Sequence, residues 1–150
     1  MRLVIQRVSE ASVISNGVKT ADIGKGLLVL HGVTHNDTEE DIEWLVKKVT
    51  NLRIFGDEKG LMNLSIGDVG GSFVVVSQFT LFASTKKGNR PSFLDAAKRD
   101  IAIPLYEKFV NSLRNHSQLD VQEGLFGADM KVKLVNDGPE TIIIDSKKRT

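Results

Sequence analysis

The amino-acid sequence predicts one mixed α/β domain over residues 1–150, with antiparallel-rich sheets forming two β layers covered by two main helices. Three observations predict it. The segments run strands, helix, strand, helix, strands. The strand-like runs either alternate apolar and polar residues or are short and continuously apolar. No Gly-x-Gly-x-x-Gly follows a strand, which sets a doubly wound dinucleotide fold aside. A chain of 150 residues suits a single domain and leaves room for a real hydrophobic core.

Residues 2–10 alternate and read as a strand. Asn16-Gly17 tolerates positive φ and suits a tight hairpin, with Val18 to Ile23 as the return strand. Leu27 to Leu30 is a continuous apolar run, too short for a helix, and reads as a strand buried on both faces. Thr38 with Asp41 three residues later predicts a capped helix start. Ile42, Leu45, Val46, Val49 and Leu52 then build one apolar stripe at helical spacing. Asp57 to Gly71 is a loop or loose hairpin. Phe73 to Ser77 is an apolar strand, extended by polar-apolar alternation to Phe82. Leu105, Phe109, Val110 and Leu113, with Tyr106 beside them, mark a second helix, and Pro104 fits its first turn. Leu119 to Gln122, Lys131 to Val135 and Thr141 to Ile144 are strand-like, divided by Gly124–Asp129 and Asn136–Pro139.

Composition narrows the function classes. The chain is 41% hydrophobic and 26% charged, ordinary for a soluble globular protein. No apolar run approaches the roughly 18 residues that cross a membrane, so no membrane partner is expected. The amino-terminal alternation reads as a strand where a signal peptide would show an apolar block. Without cysteine there is no disulfide, thiolate nucleophile or thiolate metal site. These features point to the cytoplasm. A net charge of +1 argues against broad wrapping of nucleic acid, while leaving room for a protein that grips only the end of an RNA. Lys86, Lys87 and Arg90, and the tail Lys147, Lys148 and Arg149, read as solvated clusters.

Familiar catalytic signatures are missing: no phosphate-binding loop, no His-Glu-x-x-His, no Gly-x-Ser-x-Gly. His31, His35 and His116 lack metal-ligand spacing, so no metal and no cofactor are expected. His31 follows a buried strand and reads as a hydrogen-bonded structural histidine, a general base being the other reading; His35 and His116 read as surface residues. In Ser77-Gln78-Phe79-Thr80-Leu81-Phe82, polar groups interrupt an apolar strand. Alternation puts Gln78 and Thr80 on one face, either a site or an ordinary solvent face. Asn136-Asp137-Gly138-Pro139 reads as a turn; proline permits a cis peptide, and Gly138 lets another group approach the backbone closely.

The chain resembles the D-aminoacyl-tRNA deacylases along its whole length. The resemblance lies in Arg2 to Val8, Ser77 to Leu81, Gly88 to Phe93, Leu105 to Phe109, Gly124 to Met130 and Asn136 to Pro139, six segments in the family's order. It implies hydrolysis of the ester of D-aminoacyl-tRNA, with glycyl-tRNA also accepted, by a homodimer whose pocket lies at the subunit interface. It places Ser77 to Leu81 along the pocket, with Gln78, Phe79 and Thr80 nearest the aminoacyl group. By the same resemblance, Phe126, Gly127, Ala128 and Met130 are expected to receive the terminal adenosine of the tRNA acceptor end. It further implies a cis Gly138-Pro139 bond reaching into the partner's pocket, held in place by Arg7.

On that reading an L side chain meets backbone atoms where a D substrate fits, and glycine has nothing to exclude. No base is visibly paired with Thr80, so the favoured mechanism uses backbone N–H groups near Phe79 and Thr80 as an oxyanion site. The terminal 2′-hydroxyl is a further source of assistance to the attacking water. After Gly138-Pro139 the family usually has Val-Thr, whereas this chain has Glu140-Thr141. Two other readings stand beside the first: a covalent threonine or serine hydrolase, and a non-catalytic module binding the tRNA acceptor end.

Overall fold

The computed structural model describes residues 1–150. Its organising element is β1 (Arg2–Ser15), which pairs along both edges. One edge takes β3 (Gly26–Gly32) along residues 2–8 and β2 (Val18–Ile23) along residues 11–15, both antiparallel. The other edge takes β8 (Met130–Asp145), also antiparallel, along the whole strand. The β1–β2 hairpin turns at Asn16-Gly17, where both residues have positive φ, as that dipeptide favours.

Two parallel pairings complete the sheet: β6 (Ser72–Ser77) joins β3, and β7 (Val121–Glu123) joins β6. A small hairpin, β4 (Phe55–Gly56) with β5 (Met62–Leu64), lies within the segment predicted as loop or loose hairpin. The Asp22 amide donates to the Gln122 side chain at 2.8 Å, bringing β2 beside β7. The sheet is therefore nearly barrel-like, and the two predicted layers are one six-stranded mixed sheet folded on itself. The first strand runs five residues beyond its predicted end for the same reason, since it must serve both layers.

Two cores follow from this curl. Leu3, Ile5, Leu27, Val29, Phe73 and Val75 face the helices. Val8, Val13, Ala21, Leu28, Val74 and Val76 fill the barrel interior. β1 changes core between Ile5 and Val8, where its register with β8 shifts. Helix α1 (Glu39–Asn51) starts with the predicted capping box, the Thr38 amide donating to the Asp41 carboxylate at 2.8 Å. Ile42, Leu45, Val46 and Val49 are buried, each contributing about 1.5–3 kcal/mol through its apolar surface. Leu52 caps the helix end.

Four expectations need correction. Helix α2 (Arg99–Ser117) begins five residues before Pro104, which therefore sits in its second turn. Pro104 is on the exposed face, so the Asp100 carbonyl it leaves without a helical donor can turn to water. Residues 79–82 do not continue β6 but form a 3₁₀ turn (Phe79–Phe82), closed by bonds from Leu81 to the Gln78 carbonyl and from Ala83 to that of Thr80. The strand segments 131–135 and 141–144 belong to one strand, β8, because β1 offers an unbroken partner to both. Residues 137–140 bulge between the pairs Val8↔Asn136 and Gln6↔Thr141. The tail is docked: Lys147 bonds Asp41 at 3.1 Å, and Arg149 lies 4.5 Å from the Trp44 ring centroid.

Candidate active site

The parallel strands β3 and β6 end together at His31 and Ser77, and the chain leaves β6 through the 3₁₀ turn. Arg2 holds that turn in place. Its guanidinium donates to the Leu81 carbonyl at 2.6 Å, pairs with Asp145 at 2.9 Å and lies 4.6 Å from the Phe82 ring centroid. Gly32 allows the turn to pack this closely. A Cβ there would stand 3.1 Å from both the Gln78 carbonyl oxygen and the Leu81 Cβ, tighter than ordinary van der Waals contact.

Beyond the strand ends lies a cavity of about 620 Å³. Ser77, Gln78 and Phe79 form one wall, and Phe126, Gly127, Ala128 and Met130 another. The first residues of α2 close a third side through Lys98, Arg99 and Ala102. Seven of the residues singled out in the sequence thus meet in one apolar cleft. Thr80 is exposed beside it, its hydroxyl accepting from the Gln78 amide. The two side chains predicted to share a strand face do meet, through a turn instead.

The wall at residues 124–129 is clipped to the β1–β2 hairpin. The Leu125 amide donates to the buried Ser15 hydroxyl at 3.1 Å, and Asp129 and Asn16 exchange bonds of 3.1 and 2.8 Å. Phe126 packs edge-on against buried Tyr106, ring centroids 5.7 Å apart, and this fixes the wall to the core of α2. At the mouth Phe79 and Phe93 make a second edge-on pair at 5.0 Å, both rings exposed.

His31 lines the cavity but is buried against Phe109 and Tyr106, with ring centroids 4.5 and 5.6 Å away. Neither ring nitrogen has a hydrogen-bond partner, contrary to the expected hydrogen-bonded role. Burial, reinforced by the nearby terminal ammonium, lowers its pKa to about 3. It is neutral near pH 7 and a weak base, so the general-base reading loses its physical ground. Thr80 forms no hydrogen bond to a histidine, lysine or carboxylate that could activate it; its hydroxyl is bonded to Gln78. His35 is on the surface, bonded to the Leu94 carbonyl at 2.6 Å. His116 lies in the last turn of α2.

Arg7, Gly138 and Pro139 do not line this cavity. They form a separate, exposed feature: the bulge of β8, with a cis Gly138-Pro139 bond. Arg7 donates to the Asp137 carbonyl at 2.8 Å, and its Nη1 also bonds the Ile54 carbonyl. Asn136 closes the base of the bulge by donating to the carbonyls of Arg7 and Glu140, both at 3.0 Å. Gly138 is required by close approach: a Cβ there would stand 2.5 Å from the Glu140 nitrogen. Glu140 is half-buried beside the loop and forms no salt bridge. The positioning roles of Arg2, Ser15 and Asn136 escaped the sequence reading, because a polar residue at a strand position looks the same whether it faces water or a distant carbonyl.

Comparison with known proteins bears on this arrangement. A family profile described as D-Tyr-tRNA(Tyr) deacylase matches residues 4–145. The chain is 62% identical to the D-aminoacyl-tRNA deacylase of Flavobacterium johnsoniae and 60% identical to that of Parabacteroides distasonis, each alignment covering 99% of both chains. Among solved structures it is similar to the c-Myc DNA unwinding element binding protein, with a TM-score of 0.90 and 40% identity over 97% of this chain and 98% of the other. A probable eukaryotic D-amino acid tRNA deacylase shares the fold, with a TM-score of 0.83 at 18% identity over 95% of this chain and 97% of the other.

Proposed function

Because the chain belongs to the D-aminoacyl-tRNA deacylases, hydrolases that act on ester bonds, we propose that its cavity holds the aminoacyl-adenosine end of a mischarged tRNA and that it edits by handedness. Full-length identity to deacylases at 56–62% carries the substrate class. The finer reading is that L-aminoacyl esters are turned away sterically, with glycyl-tRNA accepted because glycine presents no side chain to exclude.

The excluding group in this reading is the Gly138-Pro139 bulge of a second copy, inserted into the cavity of the first. Two features support that assignment. The bulge is exposed and lies outside its own chain's cavity, and hydrogen bonds from Arg7 and Asn136 tether it. A tethered backbone segment, unlike a side chain, cannot rotate aside, so it suits a device that works by occupying volume. The functional unit is then a homodimer with two composite sites.

For the chemistry, the leaving group is a ribose hydroxyl on an activated ester, so positioning and oxyanion stabilisation carry most of the load. The N–H groups of Phe79 and Thr80 open the 3₁₀ turn, and the carbonyl of Gln78 just before it serves Leu81, so the turn supplies them no acceptor. They are available to a developing oxyanion while Gln78 and Thr80 orient the ester. Water attacks, assisted by the neighbouring 2′-hydroxyl, and Thr80 contributes a hydrogen bond with no acyl-enzyme. The deciding experiment is deacylation of matched D- and L-tyrosyl-tRNA by purified protein. Release from the D ester alone supports editing by handedness; equal release from both contradicts it, and rates equal to buffer would leave only a binding role.

A further inference from the structure

The mouth of the cavity concentrates charge that the hydrolytic chemistry leaves unused. Residues 84–100 hold five cations, Lys86, Lys87, Arg90, Lys98 and Arg99, against two carboxylates, Asp95 and Asp100. The whole chain is only +1, so the other residues together are net acidic and this stretch is a local concentration of positive charge. All five cations are exposed, and none forms an ion pair. Arg2, Arg7, Lys19, Lys108, Arg114 and Lys131 elsewhere each do.

Their placement is not diffuse. Lys98 and Arg99 line the cavity itself, and the Arg99 guanidinium lies 5.8 Å from the Phe126 ring centroid. The loop bearing Lys86, Lys87 and Arg90 is closed at its base by backbone bonds of 2.8 and 2.9 Å between Ser84 and Ser92. It is held to the mouth by the Phe93–Phe79 pair. Lys98 is the N-cap of the 19-residue α2, whose amino end no side chain caps, so the helix adds partial positive charge at the same place.

We propose that this rim binds the backbone phosphates of the unpaired nucleotides leading to the terminal adenosine, so that the partner fitted at the mouth is the single-stranded 3′ end of an RNA. The inference rests on the cavity being the aminoacyl-adenosine site. A duplex would need a broad basic face, which a chain of net charge +1 lacks. A short single strand needs a few cations beside exposed aromatic rings on which a base can stack, and Phe79 and Phe93 stand among them.

The test compares two D-tyrosyl esters, full-length D-tyrosyl-tRNA and 2′(3′)-O-D-tyrosyl-adenosine, which has no phosphate. In the variant Lys86→Ala/Lys87→Ala/Arg90→Ala, kcat/KM on the tRNA should fall roughly tenfold or more at low salt, and its log–log salt dependence should become shallower by about two. On the adenosine ester it should stay within about twofold, since there is no phosphate to lose. Equal loss on both esters, or no loss on the tRNA, overturns the proposal. If the wild-type protein cleaves neither ester, the reading of the cavity falls first and this inference with it.

Discussion

The cavity and the Gly138-Pro139 bulge are built in opposite ways. The cavity is a by-product of core packing: its walls come from strand ends, a helix start and a loop fixed to buried Tyr106, so its shape is shared among many contacts. The bulge leaves an edge strand, is exposed, and depends on hydrogen bonds from two side chains, Arg7 and Asn136. A site distributed over the core tolerates single surface changes. A wedge set by a few local bonds should be sensitive to single changes while costing the fold little.

That contrast can be broken or sharpened by mutation. The largest effect belongs to Gly138→Ala, whose Cβ would collide with the Glu140 nitrogen and displace the bulge. The ratio of D- to L-tyrosyl-tRNA deacylation should fall by about a hundredfold, since displacements near 1 Å carry such penalties. Its Tm should fall, since a backbone atom must move to clear the Cβ, but the protein should stay folded, because the bulge is exposed. Next, Arg2→Ala releases the turn that carries Phe79 and Thr80. The loss of charge-assisted bonds worth about 1.5–3 kcal/mol should lower kcat on the D ester roughly tenfold, with the D/L ratio kept. An altered ratio would show that the two regions are not separable.

Thr80→Ala should cost less, about fivefold, the worth of one hydrogen bond of about 1 kcal/mol. Loss as deep as removing the whole site, together with a trappable acyl-enzyme, would instead favour covalent catalysis. The smallest effect on chemistry comes from Asp41, remote from both regions. Burial pushes its carboxyl up, but hydrogen bonds from Ser146, the Thr38 backbone and Lys147 outweigh it and hold the pKa at about 2. A folded pKa below the usual carboxylate value means that its stabilisation is present above about pH 4 and fades as pH falls toward 2. Asp41→Asn should lose about 1 kcal/mol of stability at pH 7 and flatten this acid-side decline, with the D/L ratio unchanged.

Periodicity predicted what depends on local patterning. The α1 stripe and its Thr38–Asp41 capping box, the Asn16-Gly17 hairpin and the twice-buried β3 all follow from spacing and residue type. What it missed depends on distant partners. Nothing near residue 79 announces that Arg2 will hold the Leu81 carbonyl and bend the chain into a turn. Nothing near Pro104 announces that buried Ala102 will draw the helix start back to Arg99. The long β8 was read as two strands because its middle is a bulge, and only the unbroken β1 alongside makes it one. Seven of the predicted site residues meet in one cavity, but the resemblance to a family brought them together, since alternation along 77–82 gave Gln78 and Thr80 the wrong geometry.

In the proposed mechanism the excluding backbone belongs to the other copy of the chain. This is tested by a purified heterodimer in which one chain carries Ala128→Trp, filling its cavity, and the other carries Gly138→Ala. The only open cavity then lies in the chain with the altered bulge. If the bulge acts across the interface, that cavity meets an intact loop and the heterodimer discriminates D from L as the wild type does. Discrimination as poor as that of the Gly138→Ala homodimer would contradict the account.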